Sequence, residues 1–130
     1  MALTKDRDTV RRAGEQLSLP VAAGVRVFAG AMVAVVATFA RPAGNGRVVG
    51  IAQEQVDNRD GTDGALRIEV RRGTYLLENS AGADAITLDD YGLEAYAVDD
   101  QTVAKTDGGG ARQVAGIVRD VDASGVWVEF

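Results

Sequence analysis

RVVGIAQEQVDNRDGTDGALRIEVRRGTYLLEN, residues Arg47 to Asn79, decides how this chain is read. From Ala65 onward the run alternates. Leu66, Ile68 and Val70 point one way, and Arg67, Glu69 and Arg71 point the other. A period of two predicts a strand with one buried and one wet face. Val48 to Val56 also reads as extended, and DNRDGTDG between the two runs is dense in turn formers. The expectation is an antiparallel pair across a tight polar loop, at the centre of a β domain.

Composition sets the outer bounds. With 130 residues, one domain is the simplest organisation, able to bury roughly two-thirds of its unfolded surface. Sixteen glycines against two prolines suit many turns and closely packed strands. No cysteine means no disulfide framework and no thiolate or zinc-thiolate chemistry, and no histidine removes the usual proton shuttle near neutral pH. A net charge of −5 speaks against coating nucleic acid, so no nucleic-acid partner is expected. The apolar stretch Val21 to Ala40 is interrupted by Gly24, Arg26 and Gly30. Its longest clean run, about ten residues, is half of what a bilayer needs, so no membrane partner is expected. Charges throughout the first sixteen residues also argue against a leader peptide. A soluble, unprocessed chain is the reading.

Met1 to Gln16 carries Lys5, Asp6, Arg7, Asp8, Arg11, Arg12 and Glu15 with few large apolar groups to anchor it. It reads as an extended arm (1–16) that docks on a partner, ahead of a β domain spanning 17–130. Leu17 to Pro20 reads as a short edge strand, with Pro20 where a missing donor does little harm. VAAGVRVFAGAMVAVVATFA reads as two or three short strands in preference to a buried helix, because Val, Phe and Thr are enriched and two glycines interrupt it. RPAGNG (41–46) is a turn and Ser80 to Ala83 a loop. A single helical turn is expected after Thr87, a suitable cap with Asp89 and Asp90 behind it. Strands follow at Leu93 to Val98, Thr102 to Lys105, Val114 to Val121 and Val126 to Phe130. Trp127 is expected in the core. The fold class is therefore all-β and mostly antiparallel, a compact small barrel or sandwich with at most one short helix. GIAQEQVDN from Gly50 echoes GIVRDVDAS from Gly116. Two strands entering similar turns account for so short a match, and no repeat array follows from it.

Residues able to carry chemistry are sparse. Aspartates gather at Asp57, Asp60 and Asp63, at Asp89 and Asp90, and at Asp99 and Asp100. DNRDGTDG lacks the spacing and closing Glu of an EF-hand. A carboxylate-pair hydrolase would need two of these acids flanking a cleft, whereas turns favour Asp for bonding its own backbone. Ser18, Ser80 and Ser124 have no histidine partner, and GNG and GGG lack the lysine of a phosphate loop. No catalytic residue, metal or cofactor is assigned. Arg67, Arg71 and Arg72 line the wet face of the central strand. With Lys5, Arg7, Arg11 and Arg12, and with Leu17 and Leu19 beside the arm, they form the candidate partner-binding set.

VAAGVRVFAGAMVAV (21–35), GIAQEQVDN (50–58), GTDGALRIEVRRGTYLLENS (61–80), AITLDDYGLEAYAVDDQTVAKT (85–106) and VAGIVRDVDASGVWVEF (114–130) together resemble the head decoration, or capsid cement, proteins of tailed bacteriophages. The resemblance implies a small non-enzymatic β protein bound to the outer surface of the major capsid protein lattice. It also implies self-association, often as a homotrimer, with a dimer or a monomer as the alternatives, and an N-terminal arm that adds to the underlying shell. Such a protein is made in the host cytoplasm and ends on the virion. Strand addition by Leu17 to Pro20, or by the residues before them, onto a neighbour's sheet edge is the expected mode of attachment. The other readings are a different phage structural subunit (tail tube, head completion or fibre-associated) and a small surface- or carbohydrate-binding β module.

Overall fold

The computed structural model describes residues Met1–Phe130. It is all-β, with twelve strands and no helix longer than a single 3-10 turn. The first seven strands are β1 (Gln16–Pro20), β2 (Arg26–Val27), β3 (Met32–Val36), β4 (Phe39–Pro42), β5 (Val48–Ala52), β6 (Val56–Asp57) and β7 (Arg67–Arg71). Five of them form a sheet ordered β1-β7-β5-β3-β4, while β2 and β6 pair in a separate ribbon. The remaining five are β8 (Thr74–Asn79), β9 (Glu94–Ala97), β10 (Thr102–Ala104), β11 (Val114–Asp122) and β12 (Gly125–Glu129), in a closed barrel ordered β10-β8-β12-β11-β9.

These two sheets are two copies of one unit. Taken in chain order, β1, β3, β4, β5 and β7 occupy the places of β8, β9, β10, β11 and β12. The correspondence holds at single-residue register. Leu17 faces Val70 as Tyr75 faces Val128, and Ile51 faces Arg71 as Ile117 faces Glu129. Arg72 N–H donates to Glu15 O just as Phe130 N–H donates to Gly73 O, both at 2.8 Å. The echo of Gly50 and Gly116 falls on equivalent positions, each one residue past a β-bulge. A Cβ on Gly50 would lie 2.8 Å from Arg71 O, and one on Gly116 would lie 2.3 Å from Glu129 O. The neighbouring backbone comes too close for any side chain at either site. Similar turns alone therefore do not explain the match: the echo marks a repeat of the whole unit, legible only where backbone crowding demands the same residues.

The copies differ at their seams. In the second unit Glu78 N–H donates to Gln101 O at 3.0 Å and Ser80 N–H to Val103 O at 3.1 Å, closing β8 onto β10. In the first unit Ala22 N–H donates to Ala40 O at 3.0 Å, the equivalent of the Ser80 bond. The Glu78 position is Pro20, which has no donor, so this seam is held only around Val21 and Ala40. Pro42 takes the place of Lys105, another donor in the second unit. The Arg67 guanidinium then covers β1 from outside, donating to Ser18 O at 2.6 Å and Ser18 Oγ at 2.9 Å. Two prolines and a capping arginine blunt an exposed strand edge. Leu17 to Pro20, expected with the residues before it to add to a neighbour's sheet, is β1 and pairs through one edge with β7 of its own unit, leaving only the blunted edge for such an addition.

Each unit has an apolar interior. Val21, Val27, Val33, Ile68 and Val70 lead the first core, and Val103, Val118, Val126 and Val128 lead the second. Met32, Ala43, Val48 and Ile51 come from the first unit yet pack into the second core, joining the five-stranded sheet to the closed barrel. Several local readings need correction. Leu66 is 43% exposed, because it precedes the first residue of β7 at the end of the ladder. Trp127 lies on the outer, half-buried side of β12, its Nε1–H donating to Asp122 Oδ2 at 3.1 Å, while Val126 and Val128 take the interior. β5 and β7 do pair, but the segment between them is no tight hairpin, since it carries β6 across to β2. The turn expected over 41–46 begins later, because Arg41 and Pro42 belong to β4. The helical turn after Thr87 is present, and a second one covers Gly82–Asp84.

Candidate functional site

The features free to meet a partner are the N-terminal arm and one turn of the second unit. Met1 to Gly14 joins no strand and makes no hydrogen bond to the body, which begins where Glu15 O accepts from Arg72 N–H. Lys5, Arg7, Arg11 and Arg12 are all exposed along this arm, as are Leu3 and Val10. Across residues 1–16 four cations stand against three carboxylates, a net charge of +1, which leaves −6 on the remainder of a chain whose total is −5. Arm and body are electrostatically complementary.

The other members of the candidate set separate. Leu17 and Leu19 are half-buried against the core of their own unit, so they anchor β1 and do not reach out. Arg67 is occupied by Ser18, whereas Arg71 is exposed on the same strand face. Arg72 lines a recess of about 480 Å³ between the two units, together with Leu17, Arg47, Val48, Val114 and Phe130. A second recess adjoins it at the root of the arm, bounded by Gly14, Glu15, Arg72, Glu129 and Phe130. The arm thus leaves the body at the junction of the barrels.

Several aspartates are engaged, some in their own turns and some across the fold. Asp63 Oδ1 accepts from Ala23 N–H at 2.7 Å, and Asp99 Oδ1 accepts from the N–H groups of Gln101 and Thr102. Asp57 pairs with Arg59 at 2.7 Å, and that hydrogen bond lowers its carboxyl pKa to about 2. Thr106 and then Arg112 lower Asp84, and the indole of Trp127 lowers Asp122. No three carboxylates converge on one point.

A surface not singled out in the sequence lies on the turn between β8 and β9. Leu88, Tyr91 and Leu93 are 58–60% exposed, with the Arg119 guanidinium 5.9 Å from the centre of the Tyr91 ring. The 3-10 turn at Leu88–Asp90 fixes this presentation: Thr87 N–H donates to Asp90 Oδ2 at 2.8 Å, and the buried Asp90 faces Lys105 Nζ at 3.5 Å. The available sequence signal was three large apolar residues flanking a capped acidic turn.

Compared with family models, curated proteins and solved structures, the chain matches none. No helix is long and apolar enough to cross a membrane.

Proposed function

We propose that this chain is a non-enzymatic virion structural protein, a decoration or cement protein that binds the outer surface of a major capsid protein lattice and stabilises the head. The observation that carries the reading is the pairing of an acidic two-unit β body with a net cationic arm whose residues 1–14 make no hydrogen bond to it. The sequence resemblance to phage cement proteins points the same way.

Cementing needs a body that transmits force and a tether that orders on contact. Two barrels joined through Met32, Ala43, Val48 and Ile51 supply the first. An arm without hydrogen bonds to the body supplies the second, with an ordering cost that many symmetry-related attachments offset through avidity. Because the edge of β1 is blunted by Pro20 and Arg67, attachment runs through the side chains of the arm and the body surface, while the half-buried Leu17 and Leu19 anchor β1 against its own core.

The test is co-sedimentation with expanded phage shells that lack the protein. The full chain is expected to pellet with the shells, and a chain lacking Met1 to Ala13 should show reduced occupancy and an unchanged melting temperature. A full chain that stays in the supernatant at every concentration would end this reading.

A further inference from the structure

The repeat supplies an internal control for the exposed turn of the second unit. Gly30 and Gly92 occupy equivalent positions with φ of 86° and 82°. Gly30 N–H donates to Ala52 O and Gly92 N–H to Val118 O, both at 2.8 Å. Ala52 N–H donates to Ala31 O and Val118 N–H to Leu93 O, both at 2.9 Å. The same turn is thus built twice. In the first unit its flanking residues are Ala29 and Ala31, and in the second they are Tyr91 and Leu93. The two positions flanking the glycine do not need large side chains for the turn to fold, so Tyr91 and Leu93, with Leu88 beside them, answer to something outside their own unit, whereas the first unit exposes a single aromatic here, Phe28, with the Arg26 guanidinium 4.4 Å from its ring centre. Apolar groups around an aromatic ring with an arginine over it match the composition of protein-interface hot spots.

We infer that this patch is the receiving site for the N-terminal arm of a second copy of the chain. The arm holds the complementary chemistry. Leu3 and Val10 are exposed with nothing of their own to cover, and Lys5, Arg7, Arg11 and Arg12 face a body of charge −6 that carries Asp89, Glu94 and Asp120 on or beside the patch elements. The geometry favours reciprocal exchange. Glu129 borders the recess at Gly14 and Glu15, where the arm departs, and accepts from Arg119 Nε at 2.7 Å, the same arginine that covers Tyr91. Root and receiving patch therefore lie near each other, and thirteen residues extend about 40 Å, ample to cross to a neighbour. Two copies placed patch to root give each arm to the other, a closed self-complementary contact. This deepens the cement reading by naming the neighbour that the arm clasps, and it rests on that reading only for its purpose on a lattice.

The test uses full-length chains in sedimentation equilibrium without shells. The wild type is expected to associate as concentration rises, and to dissociate as salt screens the arm. A patch variant (Leu88→Ser, Tyr91→Ser, Leu93→Ser) and an arm variant (Val10→Ser, Arg11→Glu, Arg12→Glu) should each associate about tenfold more weakly or worse, with melting temperatures near wild type because all six positions are on the surface. Mixed one to one, the two variants should form a heterodimer more readily than either pairs with itself, since the first still has an arm and the second still has a patch. A wild type that is monomeric at all concentrations, variants as tight as wild type, or a mixture no better than its parts would each overturn the proposal. A chain that pairs in solution yet ignores shells would sink the cement reading alone.

Discussion

Asn58 shows how much a single polar side chain settles in the first unit. It is buried, and its amide donates to Val21 O, Ala22 O and Thr62 O at 2.9 to 3.3 Å, stitching the loop after β6 to the chain after β1. Its neighbour Asp57 works at the surface, accepting from the side chain and backbone of Arg59. Because the folded carboxyl sits near 2 against an ordinary 3.8, its contribution to stability is complete above the ordinary value and fades as pH falls toward 2. Asp57→Asn is therefore expected to melt below wild type at pH 7 and together with it below pH 2, as thermal scans across that range would record. Parallel curves at every pH would show that the Arg59 bond does not stabilise the fold. The turn-forming character of DNRDGTDG was legible from composition, since Asp57 bonds backbone two residues on as short polar side chains do, although Asp63 instead accepts from Ala23 N–H, 40 residues back. The role of Asn58 was not, because two of its three partners are 36 and 37 residues away in the chain.

Strands announce themselves by alternation, and most of their places follow from it; turns do so only when they use the expected residues. The hairpin between β3 and β4 turns through Ala37 and Thr38, whose φ values are 50° and 83°. Two-residue hairpins of this hand strongly favour Asn and Gly, and a β-branched residue at positive φ is strained. Nothing in an Ala-Thr pair signals such a turn, so the sequence shows only the separate turn that follows it, in RPAGNG between β4 and β5. Ala37→Asn with Thr38→Gly is expected to raise stability by about 1 kcal/mol, read as an increase of several degrees in melting temperature. An unchanged or lower value would mean that strain at this tip is already compensated. Other elements were half-legible for a related reason. The β1 sequence told of an edge strand, but its donor-poor seam and the Arg67 cover emerge only when Pro20 is set beside Glu78 in the second unit. The exposed patch was overlooked because alternation labels Leu93 as part of a strand and is silent on whether anything covers it.

At the scale of the molecule, two like barrels could behave as independent beads or as one body, and only a single body suits a clamp on a shell. The deciding residue is Met32. It belongs to β3 of the first unit, its side chain is fully buried in the core of the second, and its N–H donates to Asp100 O across the junction at 2.7 Å. Removing most of that side chain leaves a cavity shared by both barrels. Met32→Ala is expected to cost about 2–5 kcal/mol. The loss should appear equally by far-UV circular dichroism, which reports both units, and by the fluorescence of Trp127, which lies on β12 of the second. Val33, the next residue on the same strand, points into the first core alone. If the barrels unfold as one, Val33→Ala must also move the Trp127 transition, although it touches nothing in that unit. Two separated transitions, with Trp127 indifferent to Val33, would mean that the junction is only a hinge and would count against the proposed role as a clamp, which needs load to pass from one unit to the other.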